Sequence, residues 1–131
     1  MVNYMDSKIY TIRCRSDDTL IYVGSTTLAL SQRLAKHRCS CKRGVCCSLY
    51  KYIVNDDWSE WYIELYEVYP CNSKEELLKK EGDIIRQIGT INKCIAGRTQ
   101  KEYRQENVEY FKEKSLFLFN NIIKLFINIF I

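Results

Sequence analysis

The chain has 131 residues, 47% of them hydrophobic and 13% aromatic, enough for one buried core and too few for two full domains. Its 20 basic and 16 acidic side chains leave a net charge of +4, which suits an anionic partner but excludes a histone-like polycation. Met1 to Ser7 contains no apolar run and no small-residue cleavage site, so no secretion signal is expected and an intracellular location follows.

Lys8 to Arg15 and Leu20 to Gly24 are rich in Ile, Tyr, Thr and Val and flank the polar turn Ser16-Asp17-Asp18-Thr19. This pattern predicts an antiparallel hairpin with a tyrosine, Tyr10 or Tyr22, in each strand. From Ala29 to about Arg38 the spacing becomes helical, with Leu30 and Leu34 on one face and Thr26 or Thr27 as N-cap. Directly after His37 come Cys39, Cys41, Cys46 and Cys47, in a segment made basic by Arg38, Lys42 and Arg43. The thiols fall as C-x-C and as an adjacent pair rather than as two C-x₂-C knuckles, so a reduced, thiol-rich loop is expected instead of a zinc site. The seven cysteines, an odd number, likewise read as free thiols in the absence of a secretion signal.

Leu49, Tyr52 and Ile53 predict a short helix, and the alternation in Trp61 to Tyr66 a third strand. Ser73-x-x-Glu76 is a capping-box pattern, opening a helix from about Lys74 to Ile88 that Gly89 ends. The order β-β-α-(α)-β-α implies a small three-stranded antiparallel sheet flanked by helices, an α+β domain. Composition shifts after Gly97-Arg98, which sets the expected boundary between a domain over 1–98 and a helical tail over 99–131. The tail is charged from Lys101 to Lys114 and apolar from Leu116 to Ile131. The apolar part is short of the roughly 20 residues that span a bilayer; Asn120, Lys124 and Asn128 would form a polar stripe on a helix suited to a membrane surface or an oligomer interface.

Three polar groups interrupt faces that should be apolar. Glu81 lies four residues from both Leu77 and Ile85 on the second long helix, where isolated burial of a carboxylate is costly. It therefore calls for a cationic partner, a metal ion or a cleft at the rim of the sheet. Arg33 and His37, an i,i+4 pair, stand in line with Leu30 and Leu34 on the first helix. His37 is the sole histidine.

These residues resemble the GIY-YIG nuclease domain over about Lys8 to Arg98. Lys8-Ile9-Tyr10 stands for the first triplet and Tyr22-Val23-Gly24 for the second, followed in order by Arg33, His37, Glu81 and Asn92. The segments Tyr62 to Glu67, Pro70-Cys71-Asn72, Lys80-Glu81-Gly82 and Ile95 to Thr99 are similar to the stand-alone members of large DNA viruses and mobile elements. The resemblance implies a DNA endonuclease using one divalent metal, Mg²⁺ or Mn²⁺, with Glu81 as its ligand and Arg33 stabilising charge on the phosphorus centre. It implies Tyr10 as the base for the attacking water, Tyr22 positioning the phosphate, His37 accepting or relaying the proton, and Asn92 as a structural hydrogen-bonder; the roles of Tyr10 and Tyr22 are open to exchange. Lys8, Gly24 and Ser25, with the basic Arg38, Lys42 and Arg43, are the expected DNA contacts. Lys8 replaces the glycine of the first triplet, and Ser25 stands where some relatives have lysine, which lowers the positive charge beside Tyr22. The competing readings are a catalytically silent DNA-binding or membrane-associated remnant of the same fold, and a structural zinc-thiol protein.

Overall fold

A computed structural model describes residues 1–130, with the backbone alone at residue 130; Ile131, the last residue of the expected apolar tail, lies outside the described residues. Three antiparallel strands, β1 (Lys8–Cys14), β2 (Ile21–Thr26) and β3 (Trp61–Val68), form one sheet in the order β2-β1-β3. The β1–β2 turn is tied by the Asp17 carboxylate, which accepts hydrogen bonds from the Thr19 N–H and hydroxyl, the local bonding that favours aspartate in turns. The central strand is covered on both faces, so its buried residues run almost without interruption.

The pleat divides those residues between two cores. Tyr10, Ile12 and Cys14 pack with Leu49, Ile53, Trp58 and Trp61 beneath α1 (Leu30–Lys42) and short 3₁₀ turns at Leu49–Tyr52 and Val54–Asp56. Ile9 and Val23 pack on the opposite face with Leu77, Ile84 and Ile85 of α2 (Lys74–Ile88). The α+β architecture is the one expected.

Local details differ from the sequence expectation. Helix α1 starts at Leu30, with Ala29 at the N-cap and no side-chain cap bond. Thr26, one of the expected caps, ends β2, and its hydroxyl accepts from the Leu28 N–H. The helix continues to Lys42, so Cys39 and Cys41 sit on its last turns rather than in a loop. All seven cysteines are free, and among the described residues no group of three or more His, Cys, Asp or Glu side chains is arranged to hold a metal. At the start of α2 the Ser73 hydroxyl accepts from the Glu76 N–H, while the Glu76 carboxylate accepts from the Asn72 N–H at 2.9 Å, one residue further back than a capping box reaches.

The chain divides into two compact units, Met1–Gly97 and a second from Arg98 onward. In the second, α3 (Gln100–Glu106) opens on a full capping box between Thr99 and Glu102, and α4 (Val108–Phe130) follows after a break at Asn107. The change of composition near Leu116 is therefore not a structural boundary, because α4 runs through charged and apolar halves alike. Among the described residues no helix is long and apolar enough to cross a membrane.

Candidate active site

Antiparallel register sets Tyr10 of β1 directly opposite Gly24 of β2, and the phenol lies over the glycine. A Cβ on Gly24 would fall 2.4 Å from both Cζ and Oη of Tyr10, so the second triplet ends in glycine to make room for the tyrosine of the first. Helix α1 then lays Arg33 and His37, one turn apart, onto the same phenol. Arg33 Nε donates to Tyr10 Oη at 3.0 Å, and Tyr10 Oη lies 2.7 Å from His37 Nε2.

The imidazole is 2% exposed and stands edge-on to three phenol rings, Tyr10, Tyr22 and Tyr50, at centroid distances of 5.9, 5.7 and 5.8 Å. Its Nδ1 is 2.8 Å from Tyr50 Oη. Burial, and then the Arg33 charge, hold the imidazole pKa down to about 4, so the ring is neutral near pH 7 and carries one proton. Tyr10 is fully buried, and the acceptor its hydroxyl finds among the described residues is His37 Nε2. A buried O–H is costly to leave unbonded, which places the imidazole proton on Nδ1, donating to Tyr50. Burial pushes the Tyr10 phenol up to about 12 despite the neighbouring Arg33; burial, with Tyr10 beside it, also raises the Tyr22 phenol.

Glu81 approaches from the other face of the sheet. Its Oε2 accepts from the Ser25 hydroxyl at 2.8 Å, and no ion pair to it forms among the described residues. Burial raises its carboxyl pKa, with the Ser25 bond and the Arg33 charge opposing. Since β2 is an edge strand, side chains from both faces meet around its rim. Tyr22 and Glu81 line one cleft there, of about 320 Å³, with Cys47, Ser48, Asn92 and Lys93 among the other walls. Carboxylate and phenol oxygens are hard donors; they fit a Mg²⁺-like ion that takes one carboxylate and completes its shell with water and phosphate oxygens. A half-buried carboxylate without an ion-pair partner is also a place where an added cation removes a desolvation cost.

The segment after α2 closes the rest of this edge. Asn92 accepts from the Val23 N–H and donates to the Val23 carbonyl, at 2.9 and 2.8 Å, and the Thr90 hydroxyl accepts from the Ile21 N–H at 2.8 Å. Gly82, next to Glu81, permits the close approach of the following loop: a Cβ there would lie 2.1 Å from the Ala96 carbonyl oxygen.

Of the expected DNA contacts, three are engaged within the chain. Gly24 is buried under Tyr10, Ser25 is bonded to Glu81, and the Lys8 ammonium donates to the Asp6 and Leu28 carbonyls at 2.9 and 2.8 Å. Arg38, Lys42 and Arg43 are exposed at the end of α1. Tyr50 and Lys93 were not foreseen: Tyr50 lies 13 residues from its partner His37 in a 3₁₀ turn with no periodic link to α1, whereas Lys93 adjoins Asn92 and could have been found from that position.

The GIY-YIG catalytic domain model matches residues 7–95. Two structures of the catalytic domain of the homing endonuclease I-TevI are similar in fold. One, of an alanine mutant of that intron endonuclease, is 21% identical with a TM-score of 0.56, covering 71% of this chain and 96% of that one. The other is 20% identical with a TM-score of 0.55, covering 67% and 98%. No curated protein matches the chain.

Proposed function

Because the chain belongs to the GIY-YIG catalytic domain family and is a nuclease, we propose that it is a metal-dependent endonuclease hydrolysing DNA phosphodiester bonds at the rim of β2. One observation carries this reading: Tyr10, Tyr22, Arg33 and His37 from one face of the sheet converge with Glu81 from the other at the same edge strand.

Glu81 would hold the Mg²⁺ or Mn²⁺ ion, which when bound supplies charge neutralisation at the phosphate. Arg33, permanently charged and fork-shaped, stabilises the additional negative charge of the transition state. Tyr22 lines the cleft and orients the phosphate, while Tyr10, closed off from solvent, has the hydrogen-bonded proton acceptor and takes the proton of the attacking water when the bound phosphate brings that water against its Oη. A phenol with a pKa of about 12 is a poor source of free phenolate near neutrality. Tyr10 acts instead by passing its own proton to His37 Nε2 as it receives the water's, so that no phenolate accumulates. Arg38, Lys42 and Arg43 supply contacts to the DNA backbone, which position the strand without reading its sequence.

Supercoiled plasmid incubated with the protein and Mg²⁺ should yield relaxed or linear DNA, and Glu81→Ala should yield neither while still binding. Equal behaviour of the two proteins overturns the reading. Arg33→Ala should lower turnover by about 10²- to 10³-fold, with DNA affinity largely kept. Salt-dependent binding with no product in any divalent metal would instead identify a silent DNA-binding domain.

A further inference from the structure

We infer that Tyr50 is a positioning residue of the active site: its Oη holds His37 in the Nδ1–H tautomer and receives that proton when His37 Nε2 takes the proton of Tyr10. The inference rests on the proton route just proposed and extends it outward by one residue.

The bonds form one directed chain. Arg33 Nε–H donates to Tyr10 Oη, Tyr10 O–H to His37 Nε2, and His37 Nδ1–H to Tyr50 Oη, at 3.0, 2.7 and 2.8 Å. Reversing the imidazole tautomer would point two N–H donors, from Arg33 and His37, at Tyr10 Oη and leave the buried Tyr10 hydroxyl without its acceptor. Tyr50 is held for this task from behind, its ring edge-on to the buried Trp58 at 6.3 Å. Tyr10 has no exposed surface, whereas Tyr50 is half-buried with the Ser40 hydroxyl beside it, so the chain leads from the closed interior toward solvent.

Charge explains why an outer acceptor is needed. A second proton on His37 would create an imidazolium in a buried site next to the Arg33 guanidinium, a like-charge pair that burial penalises further. His37 therefore works as a relay if Nδ1 gives up its proton as Nε2 gains one. In the step, the water proton moves to Tyr10 Oη, the Tyr10 proton to Nε2, the Nδ1 proton to Tyr50 Oη and the Tyr50 proton to solvent. His37 ends as the Nε2–H tautomer with no change in charge. Running the same path backward resets it and returns one proton to the cleft.

The test uses the full chain, whose single histidine makes the ring-nitrogen NMR signals unambiguous. In the wild type, Nδ1 should be protonated and Nε2 bare. Tyr50→Phe should weaken that preference, leaving the Tyr10 O–H bond to Nε2 as its one support, and lower cleavage turnover by about 10²-fold, with KM for plasmid and circular dichroism unchanged. Tyr50→Gln offers an acceptor oxygen to Nδ1–H but no hydroxyl proton to pass on, so it should keep the tautomer and remain slow. An Nε2–H tautomer in the wild type, wild-type turnover in Tyr50→Phe, or full recovery in Tyr50→Gln overturns the inference. If wild type and Glu81→Ala prove equally inactive, the nuclease route fails by itself, and the tautomer measurement still decides whether Tyr50 orients His37.

Discussion

At the scale of single residues, the site is a set of close approaches that leave little freedom. Tyr10 is pinned by Arg33 and His37 above and Gly24 below, so it cannot swing away from an added methyl group. Gly24→Ala is expected to destabilise the fold by about 1–3 kcal/mol through overpacking, measured by denaturant unfolding. In a Tyr10→Ala background the same substitution should cost far less, and equal costs in the two backgrounds would refute the steric account. His37 makes a second prediction. Its folded pKa, about 4, lies below the ordinary 6.5, so the unfolded chain binds the extra proton more readily. The stabilising contribution is complete above pH 6.5 and is lost as pH falls toward 4, up to roughly 3 kcal/mol. Glu81, whose pKa is raised, contributes with the opposite sign in the acid range. The measurement is therefore a difference: stability between pH 7 and 4.5 should fall less steeply for His37→Gln than for the wild type.

Among the elements, β2 matters most, since the site exists because that strand is an edge reached from both sides. Residues Thr90–Asn92 seal its outer backbone up to Val23, leaving the cleft beyond. Asn92→Asp retains an acceptor for the Val23 N–H but sets a carboxylate oxygen against the Val23 carbonyl. It should cost about 1–3 kcal/mol and weaken amide-exchange protection at Val23; unchanged protection would show that the edge is held by other bonds. Strands and long helices were legible in the sequence because their periodicity reflects faces buried against a sheet, and Arg33, His37 and Glu81 stood out as polar breaks in those faces. Tyr50 did not. Its turn is 3₁₀, with three residues per turn, so Leu49 and Ile53 are buried as their pattern suggested, while Tyr52 is 44% exposed and Tyr50 takes the inward place instead. The α1 boundary was misplaced for a related reason: its last turns carry polar and thiol side chains, and no apolar stripe marks them.

For the molecule as a whole, both hydrophobic clusters and every proposed catalytic group fall within Met1–Gly97. The second unit contributes none of those groups, and its α4 exposes Leu116, Phe117, Phe119 and Leu125, each more than half accessible. Exposed apolar side chains in that number favour self-association. A chain ending at Arg98 should therefore keep a cooperative unfolding transition and metal-dependent plasmid cleavage, while sedimenting as a single small species at concentrations where the full chain associates. Backbone contacts made by the basic side chains of residues 101–114 would appear separately, as a shallower dependence of DNA affinity on salt once they are removed. Loss of cleavage at saturating DNA, with the fold intact, would instead place part of the catalytic apparatus in the second unit and refute the assignment of activity to residues 1–97.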